Sequence, residues 1–290
     1  MWAIIVHGGA KEIKPEKEDA NRRGCLQAVR AGQRILDEGG SAVDAVEAAI
    51  RVLEDDPTFN AGFGSDLNAD GEVEMCSAIM DGATLDVGGV AVIKGVQHPI
   101  SVAKLMLRED TILIAGDGAW RFAEEKGAEL AEPAALVSPE QANGRAEKHD
   151  TVGAVALDQN GNVAAGTSTG GLDGSPQGRV GDSPQPGCGY YAENGIGAVA
   201  FSGDGEEIAR LTLAARTMRN LERQPPDIAL EAAILQLARV EGEAGGIAVD
   251  SHGRIGWAHN SSHMAVAVAS SQRPEPRVYL RKDEDRGTDA

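Results

Sequence analysis

Four short segments concentrate small polar residues where neither a strand nor a surface loop needs them. They are Asp150-Thr151-Val152-Gly153, Thr167-Ser168-Thr169-Gly170-Gly171, Gly178-Arg179-Val180-Gly181-Asp182-Ser183-Pro184 and Ser202-Gly203-Asp204-Gly205-Glu206. Thr151 carries the plainest chemistry. It follows a polar stretch directly and heads a strand-like run, so it is placed to become a new N-terminus. Attack of its hydroxyl on the preceding carbonyl gives an ester that water opens, cutting the chain between Asp150 and Thr151. The freed α-amine, with an unperturbed pKa of about 7.7–8.0, is partly neutral near neutral pH and can act as base for the hydroxyl of the same residue. The other segments have plainer readings when taken singly. Thr169 is then a polar strand end, and Arg179 and Asp182, three apart in a glycine-containing turn, are an exposed ion pair of little worth.

The elements that must position these residues can be read from periodicity and punctuation. A buried first strand over residues 1–7 ends in the turn His7-Gly8-Gly9-Ala10. Helical spacing over residues 21–38 stops at Gly39-Gly40. Ser41 caps a second helix carrying Val43, Val46, Ala49, Ile50 and Leu53, which Pro57 ends. Residues 72–80 and 87–93 read as strands and residues 99–107 as a helix with Pro at its start; the apolar run 112–116 precedes another helix. Residues 128–150, with Pro133, Pro139, Asn143 and Gly144, read as an exposed linker. Residues 151–158 and 163–168 form a hairpin about Asn160-Gly161. Beyond them the pattern predicts a strand at 196–201, helices at 206–221 and 228–240, and strands at 246–250, 254–258 and 264–269. The last two are joined through Asn260-Ser261-Ser262-His263, and residues 281–290 are charged and expected to fray. The fold class expected is α+β, one domain of sheets packed on each other with helix layers outside.

Taken together and in order, the four segments resemble the plant-type asparaginase/isoaspartyl peptidase family of N-terminal nucleophile hydrolases, which also includes glycosylasparaginase. The resemblance starts at residues 4–10 and continues through Phe59-Asn60-Ala61-Gly62 and Met80-Asp81-Gly82. Residues 151–158 and Gly178-Arg179-Val180-Gly181-Asp182-Ser183-Pro184 complete it. It implies a four-layer αββα sandwich, autocleaved into residues 1–150 and 151–290, with the cleaved units assembling as a dimer. It implies Thr151 as nucleophile with Thr169 beside it, and Asn60 and the Gly9 loop close by. Arg179 would grip a substrate α-carboxylate and Asp182 its α-ammonium, a clamp suited to a β-aspartyl group. Val180, Gly181, Asp204 and Gly205 complete the substrate pocket, and Ser202 and Gly203 supply the oxyanion donors. It further implies a structural sodium ion bound by backbone carbonyls of Leu53, Glu54, Asp56, Phe59, Ala61 and Phe63, and no other cofactor. Ser202 stands where the family usually has threonine, Lys11 where it often has glycine, and Asp150 where the asparaginase branch often has glycine.

The activity so implied is β-aspartyl dipeptide and L-asparagine hydrolysis. Glycosylasparaginase is the alternative, although Gly170-Gly171 after Thr169 look more like the asparaginase branch. An inactive scaffold used as a binding protein would have lost Thr151, Arg179 or Asp182, and all three are present. Composition narrows the partners. The net charge of −18 over 290 residues repels nucleic acid and anionic lipid. No apolar run approaches the ~20 residues of a membrane span, and the N-terminus lacks signal-peptide features, so a cytoplasmic location is expected. Cys25, Cys76 and Cys188 are scattered and form neither a disulfide framework nor a zinc motif.

Overall fold

The computed structural model describes residues 1–142 and 151–287. The proposed cut lies at the edge of that range: Thr151 is described, whereas Asp150 and the rest of residues 143–150 lie outside it.

The first half of the chain runs β1 (Ala3–Lys11), α1 (Pro15–Asp37), α2 (Ala42–Asp55), β2 (Met75–Asp81), β3 (Val87–Ile93), α3 (Pro99–Met106), β4 (Leu113–Ala115), α4 (Gly116–Glu125) and α5 (Pro139–Ala142). The second runs β5 (Val152–Leu157), β6 (Val163–Thr169), β7 (Tyr190–Glu193), β8 (Gly197–Gly203), α6 (Gly205–Leu211), α7 (Leu213–Leu221), α8 (Pro226–Ile234), β9 (Ala244–Asp250), β10 (Ile255–His259), β11 (His263–Ser270) and β12 (Arg273–Tyr279). Among the described residues the result is a mixed α and β fold with two sheets. One is eight-stranded in the order β12-β11-β1-β5-β6-β2-β3-β4, and the other four-stranded in the order β10-β9-β8-β7.

Strand alternation builds the cores. On β1, Ile4 and Val6 face α1 and α2, where Val46, Ile50 and Leu53 meet them, while Ala3 and Ile5 face the second sheet. On β5, Ala154 and Ala156 join the helix side, and Val155 and Leu157 join the intersheet side with Tyr190, Ala200 and Ile247. The far face of the small sheet packs Val199 and Phe201 against Met218 and Leu230 of α7 and α8. Local chemistry sets the boundaries. Pro15 opens α1 with Glu16 and Glu18 in its first turn. The Ser41 hydroxyl accepts from Asp44 N at 3.1 Å to cap α2. The β5–β6 turn is drawn in by Asp158 Oδ1, which accepts from Asn160 N and Asn162 N at 2.8 and 3.0 Å.

Several expectations need correction. The helix expected over 206–221 breaks at Thr212, whose φ of +50° leaves the helical region. That expected over 228–240 tightens to a 3₁₀ turn after Ile234. The strands on either side of Asn260–His263 do not pair: β10 edges the small sheet and β11 lies inside the large one, so the link crosses from sheet to sheet. Within residues 128–142 of the linker, residues 129, 130 and 132–135 are exposed, whereas Leu136, Ser138 and Gln141 are buried. Gln97 N donates to Glu129 O at 2.8 Å, Leu136 is buried beside Met75, and Gln141 Nε2 donates to Gly64 O at 2.7 Å. The tail does not fray at residue 281 either, because Glu284 pairs with Arg22 and Trp257 Nε1 donates to Asp285. Among the described residues no helix is long and apolar enough to cross a membrane.

Candidate active site

Thr151 enters the interior of the large sheet, because β5 is flanked by β1 and β6. His7 pairs with Gly153 on one side and Val152 with Ser168 on the other. Continued by one residue, the second register sets Thr151 opposite Thr169. Both threonines are buried. The partner of the Thr151 hydroxyl is not Thr169, however. Thr151 Oγ1 lies 2.9 Å from Ser183 Oγ, while Thr169 Oγ1 accepts from Gly171 N at 3.1 Å. Thr169 thus shapes the turn behind the candidate nucleophile. Asn60 supports that same turn: its Nδ2 donates to Gly171 O at 2.7 Å, its carbonyl accepts from Gly170 N at 2.9 Å, and its Oδ1 accepts from Asp66 N at 2.9 Å. A Cβ at Gly170 would overlap Asn60 Oδ1.

The loop carrying the expected clamp is tied to Thr151 through Ser183. Asp182 is buried, and a Cβ at Gly205 would lie 2.8 Å from Asp182 Oδ1 and 3.2 Å from Arg179 Nη2. Arg179, Asp182 and Gly205 therefore converge on one spot. Arg179 is gripped by Glu206, Nε to Oε1 at 2.9 Å and Nη2 to Oε2 at 2.7 Å. That grip uses one edge of the guanidinium and holds the Glu206 carboxyl below its ordinary range. The loop is anchored by Glu74, which accepts from Gly178 N at 2.8 Å, and by Gln185 Nε2, which donates to Gly181 O at 2.7 Å. Val180 stays exposed.

Ser202 and Gly203 end β8. The buried Ser202 Oγ accepts from Ala10 N at 3.4 Å, which brings it to the end of β1. Gly9, with φ +111°, permits the bulge in β1 between His7 and Ala10. Gly203 has φ +142°, and a Cβ there would overlap Glu243 O. Asp204 does not cap α6 with its side chain; its Oδ2 instead accepts from Glu243 N at 2.8 Å.

Three further residues of the site escaped sequence reasoning. Ser183 lies in the glycine-containing segment 178–184, directly after the charged pair whose chemistry is the plainer signal. Glu206 ends the segment whose expected roles fall on Ser202 to Gly205. His7, beside Gly8 and Gly9, was read as the start of a turn. It is fully buried on the intersheet side, and a Cβ at Gly153 would overlap its Nε2. Among the described residues neither ring nitrogen meets hydrogen-bond geometry. Burial pushes its pKa down to about 3, the nearby Thr151 backbone pulling the other way. Behind β6, Ser168 Oγ donates to the buried Glu54 at 2.7 Å, and Ile100 N to the same Oε1 at 3.0 Å. Burial pushes the Glu54 carboxyl up to about 8, those hydrogen bonds opposing it.

The loop 53–63 turns tightly. The carbonyls of Asp56, Phe59 and Ala61 accept from Phe59, Ala61 and Gly64 N at 3.1, 3.0 and 3.1 Å, and Gly62 approaches Glu54 O too closely for any Cβ. Each carbonyl keeps a second lone pair, so the donor set fits a hard cation of low charge.

A buried hydroxyl at the head of a strand, with a paired cation and a buried carboxylate converging beside it, is the equipment of an amide-bond hydrolase that reads a charged substrate. Comparison with known proteins agrees. A sequence model of the family described as asparaginase matches residues 1–143 and 132–277. The chain is 38% identical to a zebrafish (Danio rerio) isoaspartyl peptidase/L-asparaginase over 93% of its length and 92% of the relative's. It is 42% identical to a Homo sapiens protein of the same name, over 92% of each. It is also 42% identical to a plant-type L-asparaginase of Pyrococcus abyssi, over 96% of this chain and 99% of that protein. The chain belongs to the asparaginase family and is a hydrolase acting on amide bonds.

Proposed function

We propose that the chain is an autoprocessing threonine amidohydrolase that cuts itself between Asp150 and Thr151. It then hydrolyses β-aspartyl dipeptides and L-asparagine through a Thr151 acyl-enzyme. The observation that carries this reading is the 2.9 Å contact of Thr151 Oγ1 with Ser183 Oγ, which ties the loop of Arg179 and Asp182 to the hydroxyl. In this reading the substrate α-carboxylate meets the guanidinium edge that Glu206 leaves open, and its α-ammonium meets Asp182. The side-chain amide carbon is then presented to Thr151. The free amine of Thr151 takes the proton from Oγ1 as the new C–O bond forms, and returns it to the leaving amine. Ser202 Oγ and Gly203 N–H receive the negative oxygen. Water then opens the ester.

The names of the relatives support the substrate class. The three cores in series (helices on the large sheet, sheet on sheet, helices on the small sheet) support a four-layer αββα sandwich. Sodium held by carbonyls of Leu53, Glu54, Asp56, Phe59, Ala61 and Phe63, and a dimer of cleaved units, belong to the same proposal.

The test combines a denaturing gel with substrate assays. Wild-type protein should resolve into fragments spanning residues 1–150 and 151–290, and Thr151→Ala should stay full length. Removing the nucleophile should lower turnover of β-aspartyl-leucine and asparagine by about 10⁴-fold or more. A single band in both proteins after long incubation would refute autoprocessing. Hydrolysis of N-acetylglucosaminyl-asparagine alone would move the activity to glycosylasparaginase.

A further inference from the structure

We propose that Ser183 is a further catalytic residue, whose hydroxyl holds Thr151 Oγ1 and donates to it as the nucleophile forms. This rests on Thr151 being that nucleophile. Ser183 is buried, and among the described residues it is the hydrogen-bond partner of Thr151 Oγ1, at 2.9 Å. Although it belongs to a loop, it is fixed from the sheet. Its carbonyl accepts from Thr167 Oγ1 at 2.7 Å, and the Thr167 carbonyl accepts from Ser77 Oγ at 2.7 Å. Three hydroxyl residues on β6, on β2 and in the loop thus set where Ser183 Oγ can lie. Thr169, the neighbour the sequence favoured, directs its oxygen to Gly171 N.

The chemistry follows from the proton count. Before the reaction the two hydroxyls share one hydrogen bond, and either can be its donor. When the Thr151 proton leaves for the α-amine, Oγ1 can no longer donate, so Ser183 must. Its O–H then points at the growing negative charge on Oγ1 and lowers the cost of forming it. Ser183 keeps its own proton throughout and forms no bond to substrate. Its neighbour Asp182 belongs to the substrate clamp, so adjacent residues hold the substrate ammonium and the attacking oxygen.

The test compares Ser183→Ala and the near-isosteric Ser183→Cys, a poor hydrogen-bond donor, with wild type and Thr151→Ala. Self-cleavage is followed on gels from freshly purified protein. Asparagine turnover is measured per cleaved chain, counted by intact mass. Loss of one hydrogen bond should lower kcat about tenfold in both Ser183 variants, with KM within about twofold because the clamp is untouched. Melting temperatures check that each variant is folded, and Ser183→Cys decides if Ser183→Ala is not. Wild-type kcat in the folded variants, or a change confined to KM, would overturn the role of Ser183. Activity in Thr151→Ala would instead overturn the nucleophile on which it depends.

Discussion

Thr151 hangs from the interior of the eight-stranded sheet, whereas Arg179 stands on a loop opened by Gly178 at φ +81°. The first is placed by main-chain ladders on both sides, from His7 to Gly153 and from Val152 to Ser168. The second is placed by side chains, through Glu206 on its guanidinium and Glu74 on the loop backbone. A strand position resists small perturbations because every neighbour must move with it. A loop charge can be reoriented by changing one partner. The contrast suits the two tasks proposed for them: an attacking oxygen needs one fixed geometry, while a substrate grip must accept and release a ligand. Ser183 belongs to both regions, since it sits on the loop and is anchored to β6.

If the regions are separable in this way, damage to the loop should spare the cut. Arg179→Lys keeps the charge but loses the planar fork, so it cannot hold Glu206 and a substrate carboxylate together. It should lower kcat/KM for asparagine by about 100-fold, mainly through KM, with gel-measured self-cleavage unchanged. Impaired cleavage would show that the two regions are mechanically one.

The sheet side should be brittle in a different sense. Gly153→Ala drives a methyl into the His7 ring, and overpacking of this kind costs about 1–3 kcal/mol. Calorimetry should show a lowered melting temperature. If stability is unchanged, His7 is free to move and the ladder is softer than described.

The smallest effect concerns Glu54, behind the same strands. Its carboxyl rises from 4.5 to about 8 on burial. A group raised in this way contributes stability that is full below about pH 4.5 and is lost as pH climbs through about 8. Glu54→Gln, which keeps the neutral shape, should flatten the decline in melting temperature between pH 5 and 8, read by thermal scans across that range. A decline as steep as wild type would assign it to other groups.

The sequence disclosed this site unevenly. Thr151, the β5–β6 hairpin and the cap at Ser41 could be read because each depends on residues a few positions apart. The loop residues Arg179 and Asp182 were visible through their glycines and the ordered resemblance. Their partners were not, since Glu206 lies 27 residues from Arg179 and Ser183 lies 32 from Thr151. No local pattern encodes such pairings. β12 was missed because Pro274 and Pro276 argue against a strand, and an edge strand tolerates them. β10 and β11 are neighbours in sequence but not in a sheet: both reach the intersheet core, yet Ala258 of β10 packs under α7 and α8 while Ala265 and Ala267 of β11 pack under α1 and α2, a division that no local pattern encodes.

The strand order has a consequence for how the protein comes apart. β5 lies between β1 and β6, and β6 between β5 and β2, so strands from before and after residue 150 interleave across one sheet. While the chain is whole, unfolding and refolding involve a single molecule. If the bond before Thr151 opens as proposed, the same transition releases two, and recovery needs them to meet again. The melting temperature of the cut protein would then rise with its concentration, and dilution after denaturation would defeat refolding. The uncut form would ignore both. An interleaved sheet would make such a cut harmless to the standing fold and decisive for any later attempt to rebuild it.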